Sequence, residues 1–196
     1  MRVLVACEFS GIVRDAFRAR GHDAWSCDLL PCEGDPQWHI QGDVLKVLGD
    51  GWDLIILHPP CTKIALCGNS TYGRGKPRHN ERVDAVAWTV ALWERTKQVC
   101  PKVCMENPKN VMGPVIGKRT QVIQPFQFGH LERKETWLWL HGLPPLKETA
   151  NVFQEMMRLP KHQRERIHYM SPRPNRGHER SRFFAGWAKA MAEQWG

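Results

Sequence analysis

Short apolar runs alternate with amphipathic stretches through the first half of the chain, the pattern of parallel strands joined by helices across a sheet. Residues 3–7 (VLVAC) form a β-branched run, residues 11–20 can wind into a helix, and Gly21 stands where a helix C-terminus favours glycine. Residues 24–28 (AWSCD) read as a second strand and the segment 42–44 as a third. Residues 53–57 (DLIIL) make an apolar fourth that His58-Pro59-Pro60 ends abruptly. Over 80–99, Val83, Val86, Ala87, Val90, Ala91 and Trp93 recur at helical spacing, and 102–106 (KVCME) follows as a strand ending at Asn107-Pro108. Residues 121–128 and 135–140 predict two strands around GHLERK, an antiparallel hairpin at one sheet edge. Residues 141–178 are rich in Pro, Arg and His with little periodicity, and 179–195 predict a closing amphipathic helix. The expectation is one α/β domain over 1–196 with a mostly parallel sheet and no internal repeat.

Length and composition agree with one core, since 196 residues fit a single domain and 42% apolar residues is ordinary for a globular protein. No apolar run approaches the roughly 20 residues that span a membrane. The start MRVLVACEFSG is interrupted by Glu8 and Ser10 too soon for a signal peptide and reads as the first strand. The seven cysteines read as reduced thiols of a cytoplasmic protein, without disulfides. A net charge of +8 favours a polyanionic partner. Arg158, Lys161, Arg164, Arg166, Arg173, Arg176, Arg180 and Arg182 crowd the last quarter, with His162, His168 and His178 among them. A solvated basic face is the plainer account of that cluster.

In open α/β sheets ligands bind beyond the carboxyl ends of the strands. Here those ends are Glu8-Phe9-Ser10-Gly11, where glycine allows close backbone approach, then Asp28 and Asp43. An acidic side chain about twenty residues after the glycine turn commonly accepts from ribose hydroxyls, whereas a cap or turn aspartate is the alternative for each. His58-Pro59-Pro60-Cys61 puts a thiol on a stiff turn after a central strand, and basic neighbours or a helix N-terminus there would depress its pKa and make it a nucleophile. Buried cysteines are more often inert packing. Glu106-Asn107-Pro108 sets a carboxyl at the next strand end, fit to stabilise charge developing on a heterocycle or to serve as an ordinary ion-pair partner.

With Pro-Pro-Cys, Glu-Asn-Pro and the two aspartates in this order, the chain resembles the cytosine-5 DNA methyltransferases, particularly small phage-type members, over nearly its whole length and on through QFGHLERKETWLWL. The resemblance implies a Rossmann-like, S-adenosylmethionine-dependent fold. It implies cofactor contacts from Phe9, Ser10, Gly11, Asp28, Leu29, Asp43, Val44 and Pro59, with Asp43 holding an adenine edge. Cys61 would attack carbon 6 of an extruded cytosine and Glu106 would engage its N3 edge. Lys134 is the basic match of the family's Gln-x-Arg-x-Arg strand. Pro60, Asn107, Pro108, Arg133 and Thr136 would shape or contact the substrate. Extrusion is required because a stacked base opens neither face to both a thiolate and a sulfonium methyl.

The chain departs from the family at Ile12 and Val13, which replace later glycines of the cofactor turn, and at Thr62, which replaces a glutamine. Pro108 stands where the family usually has valine, and Thr136 replaces a basic residue. Strand alternation points Arg133 to the face opposite Lys134. The target-recognition segment shrinks to about 141–178, which implies phosphate-dominated binding to DNA with a short or relaxed preference. Tyr72, Arg74, Lys76 and Arg78 follow Cys61 in a loop suited to closing over the base. The implied partner is DNA, with no metal or membrane and a monomer as the expected state. Two other readings stay open: a catalytically inactive DNA-binding or regulatory protein of the same fold, and a zinc site built from the cysteines, whose spacings match no clean Cys-x-x-Cys pair. Trp137, Trp139, Trp187 and Trp195 are at core spacing, with base stacking as the alternative.

Overall fold

The computed structural model describes residues 1–171 and 176–196 and contains a seven-stranded sheet in the order β3-β2-β1-β4-β5-β7-β6. The strands are β1 (Arg2–Ala6), β2 (Asp23–Asp28), β3 (His39–Gln41), β4 (Leu54–Leu57), β5 (Val103–Pro108), β6 (Gln121–Ile123) and β7 (Thr136–His141). The helices are α1 (Ile12–Arg18), α2 (Asn69–Tyr72), α3 (His79–Val99), α4 (Gly113–Ile116), α5 (Phe153–Arg158), α6 (Lys161–Arg164), α7 (Arg166–Tyr169), α8 (Arg176–Ser181) and α9 (Ala185–Trp195). Strands β1 to β5 pair in parallel, whereas β7 runs antiparallel to both β5 and β6. The result is a mostly parallel α/β architecture, compatible with a Rossmann-like fold, that ends in the expected edge hairpin.

Continuous apolar runs suit strands covered on both faces. In β1 and β4, Val3, Val5, Leu54 and Ile56 join a core with α1 and α9, while Leu4, Ala6, Ile55 and Leu57 join a second core with α3. Trp187 and Trp195 fill the first core and Trp137 and Trp139 the second, so all four are packing residues. Helix α3 buries Arg82, Thr89, Leu92, Trp93 and Thr96, a stripe offset from the valines that mark it in the sequence; Val83 is exposed. Thr89 and Thr96 tolerate burial because their hydroxyls donate to the carbonyls of Ala85 and Leu92, each at 2.7 Å.

Four expectations are corrected. The third strand lies at His39–Gln41 rather than 42–44, because the Asp43 carboxylate accepts from Leu45 N at 3.0 Å and winds Val44–Lys46 into a 3₁₀ turn. Strand β6 stops at Ile123 rather than 128, where Pro125 opens a 3₁₀ turn and Gln127 caps Gln124 N at 2.7 Å. The closing helix is interrupted between α8 and α9, and Phe183 and Phe184 turn inward onto the rings of His58 and His130, with centroids 4.8 and 5.0 Å apart. The aperiodic region 141–178 contains α5, α6 and α7, with Met156 and Ile167 buried; Arg173 within it lies outside the described residues. Among the described residues no helix is long and apolar enough to cross a membrane, and no group of three His, Cys, Asp or Glu side chains could hold a metal ion. The seven cysteines are free thiols.

Candidate active site

Because β4 and β5 pair in parallel, with Leu57 beside Met105, the segments that follow them emerge at the same sheet edge. This brings His58-Pro59-Pro60-Cys61 next to Glu106-Asn107-Pro108. Strand β7 runs the other way, with Thr136 opposite Pro108, so the residues leading into it, Lys134 among them, reach that edge too. The second motif clamps the first: buried Asn107 donates from Nδ2 to the Pro59 carbonyl at 2.8 Å, and its Oδ1 accepts from Asn110 Nδ2 at 3.1 Å. Beyond the thiol, Ile64 N and Ala65 N donate to the Cys61 carbonyl at 3.2 and 2.8 Å. The buried Arg82 of α3 then donates to the carbonyls of Lys63 and Ala65 (2.6 and 3.0 Å) and to Asn69 Oδ1 (2.6 Å). The cysteine therefore rides on a turn held from both sides.

The electrostatics of that turn correct the expected thiol acidity. Burial pushes the half-buried Cys61 thiol upward and the Glu106 carboxylate adds to it, while Lys134 opposes them. The Lys134 ammonium donates to the Arg180 carbonyl at 3.1 Å and lies 5.8 Å from the Phe184 ring centroid. Glu106 is 7% exposed, and its Oε2 lies 3.1 Å from His58 Nδ1. His58 Nε2 is buried with no hydrogen-bond partner among the described residues.

The turn after β1 is built from different parts. Cys7 has φ 60°, the only positive value for a non-glycine among the described residues, and the amides of Cys7 and Glu8 both donate to the Cys27 carbonyl (2.7 and 3.2 Å). The buried Glu8 carboxylate accepts from Val13 N (2.7 Å), Arg14 N (3.3 Å) and Ser10 Oγ (3.2 Å), capping α1 in place of a side chain at Gly11. Burial pushes the Glu8 carboxyl upward, against the pull of His58 and these donors. Gly11 is required: it has φ 74°, and a Cβ there would stand 2.5 Å from Arg14 Nη2. Arg14 is fully buried and joins the turn to the next loop through Ser26 Oγ (3.2 Å) and the Asp35 carbonyl (3.0 Å). Phe9 is half-buried and its carbonyl accepts from Glu33 N at 2.9 Å.

Asp28 and Asp43 stand at neighbouring strand ends, and each gives one oxygen to a turn amide, at Leu30 N (2.9 Å) and Leu45 N (3.0 Å). Both carboxylates act on Cys7, whose thiol burial chiefly pushes far upward. Leu29 is exposed; Val44 and Pro59 are buried, so Val44 belongs to the core and Pro59 to the Asn107 clamp. Of the residues assigned to substrate, Pro60 is exposed and Pro108 half-buried. Thr136 is fully buried, with its hydroxyl donating to the Lys134 carbonyl at 3.1 Å, and so offers the site no polar group. Arg133 lines a separate cavity with Gln124, Phe126, Glu135, Glu165 and His168.

Tyr72 is buried beneath Arg78, which is itself paired with Glu81, whereas Arg74, Lys76 and Arg78 are the exposed members of the expected closing loop. In the basic cluster Arg166 pairs with Glu132 (3.0 Å) and Arg182 with Glu33 (3.6 Å), and Arg164 donates to the Met157 and Leu159 carbonyls. Sequence reasoning missed the roles of His58, Glu8, Arg14 and Arg82. His58 and Glu8 stand inside quoted motifs, so a charged residue at a strand end was their available signal. No protein-family model matches the chain, and no curated protein matches it significantly.

Proposed function

We propose that this protein transfers a methyl group from S-adenosylmethionine to carbon 5 of an extruded cytosine in DNA, with Cys61 as covalent nucleophile. The observation that carries the reading is the meeting of Cys61 and Glu106 at adjoining strand ends, clamped through Asn107 and Pro59. The cofactor would supply an electrophilic methyl on a sulfonium. Its fit rests on the left-handed Gly11, the Asp28 and Asp43 carboxylates at neighbouring strand ends and the exposed Leu29. Those groups suit a backbone approach, ribose and adenine donors, and an apolar ring face.

In this mechanism Cys61, having lost its proton to water, forms a bond from Sγ to carbon 6 while Glu106 gives a proton to N3. Electron density gathers at carbon 5, which takes the methyl. Loss of the carbon-5 proton to water then breaks the Sγ–C6 bond, and N3 returns its proton to Glu106. Lys134 favours the thiolate that must form. The raised Cys61 thiol and the Glu8 carboxylate on the α1 amides favour a second reading, an inactive DNA-binding protein of the same fold.

Expression in a host without cytosine methylation, followed by mass spectrometry of digested host DNA, separates the two. The expected result is 5-methylcytosine with the native chain and none with Cys61→Ser, in folded proteins that both bind the cofactor. No 5-methylcytosine from folded, cofactor-binding native chain would leave the inactive reading or a different substrate.

A further inference from the structure

The imidazole of His58 is a titratable group that the mechanism above does not use. It stands between two carboxylates contributed by different strand ends. On one side Nδ1 lies 3.1 Å from Glu106 Oε2. On the other, the buried Glu8 carboxyl feels the His58 charge more than any other favourable influence upon it. The ring is 12% exposed at its side chain and is closed off by Phe183, 4.8 Å away between centroids. Lys134 and Cys61 face Glu106 across the same site, and Arg182, next to Phe183, is paired with Glu33.

A carboxylate and an imidazole in a buried hydrogen bond titrate as one unit, with protonation steps that belong to the pair. An isolated carboxyl at pH 7 would be ionised and would have no proton to give to a ring nitrogen. An imidazole beside it supplies a second residence for that proton in the neutral range.

We propose that His58 and Glu106 hold one proton between them and act as a single acid, with His58 as the positioning residue that lets Glu106 deliver a proton to N3 at neutral pH. The role in turnover rests on the methyl-transfer reading; the shared proton does not. On delivery the N3–H bond forms, the pair becomes neutral imidazole plus carboxylate, and the proton returns when Cys61 leaves. Nδ1 is committed to Glu106, while Nε2 is buried with no hydrogen-bond partner among the described residues.

The test has two arms. In the full chain carrying ¹⁵N-histidine, NMR titration of His58 is compared between the native protein and Glu106→Gln. Loss of the carboxylate should move the His58 transition to lower pH. A midpoint that stays put would overturn the pair. In the second arm His58→Asn places an amide donor near the Nδ1 position but cannot titrate. The alkaline limb of kcat/KM should move to lower pH by at least about one unit, with the cofactor KM unchanged. A uniform loss of rate with an unmoved limb would reduce His58 to a structural part and sink the proposed role. A coupled titration in a native protein that transfers no methyl group would keep the shared proton and overturn the reaction reading alone.

Discussion

Strands β1 and β4 are neighbours in the sheet, and the turns that leave them are made in opposite ways. The turn after β1 takes its shape from within: a left-handed Cys7, a left-handed Gly11, and Glu8 folding back onto the first amides of α1. The turn after β4 has no positive φ between His58 and Cys61; prolines restrict it, and Asn107 and Arg82 hold it from other elements. A turn braced from outside keeps one geometry while its own side chains are free for chemistry. A turn braced by its own acid and by backbone strain depends on the charge state of that acid. The contrast assigns outside bracing to the turn that carries Cys61, and dependence on the charge of one buried acid to the turn that carries Glu8.

The largest test of this contrast is removal of the outside brace. Arg82→Ala strips donors from the carbonyls of Lys63 and Ala65 and from Asn69 Oδ1, and leaves a buried gap under the loop that follows Cys61. The expected cost is about 3 kcal/mol, since unsatisfied buried acceptors and lost packing both contribute. Denaturant unfolding at fixed pH measures it. A cost under about 1 kcal/mol would mean that the loop is held by its own turns and that the guanidinium is incidental.

The same contrast explains how much was readable before the fold was known. The Cys61–Glu106 meeting was legible because the apolar runs 54–57 and 103–105 stop at polar or proline residues, and successive parallel strands place such stops at one edge. Arg82, Thr89 and Thr96 were not legible as buried positions. Their polarity is cancelled by carbonyls of their own helix or of the 63–65 loop, which hydrophobic periodicity does not register. The partnership of His58 with Glu106 spans 48 positions, so it depends on strand pairing rather than local spacing. The third strand is displaced from the expected 42–44 because an Asp43 oxygen caps a turn there, and the strand lies just before it at His39–Gln41. The break between α8 and α9 is not legible in the sequence because Phe183 and Phe184 also fit an amphipathic helix; their docking on His58 and His130 overrides that local preference.

A smaller effect is expected from Glu8, and its sign follows from the direction of the shift. Burial raises the carboxyl in the folded protein, so the native state binds its proton more tightly than the unfolded chain does. Stability from this group is complete below the ordinary carboxylate value of about 4.3 and is lost as pH rises toward the raised value. Glu8→Gln keeps one acceptor for Val13 N and removes the titration. The unfolding free energy of the native chain relative to Glu8→Gln should therefore fall as pH rises above about 4. A difference that is flat or rises with pH would show that the α1 amides and His58 outweigh burial, and the proposed pH sensitivity of this turn would fail.

The smallest single change, Cys7→Gly, separates strain from side-chain packing when it is set beside Cys7→Val. A left-handed conformation costs a non-glycine residue roughly 1 kcal/mol, and a β-branched residue more. Cys7→Gly relieves that cost but gives up a half-buried thiol, so its net change should lie within about 0.5 kcal/mol of zero. Cys7→Val restores comparable bulk where the backbone least tolerates branching, and should be less stable than Cys7→Gly by about 2 kcal/mol. Thermal or denaturant unfolding of the two variants reads the gap directly. If valine were as stable as glycine, the turn would relax to ordinary φ without penalty. The left-handed residue would then be a passive result of the Cys27 carbonyl drawing in two successive amides, and strain would no longer distinguish this turn from the one that carries Cys61.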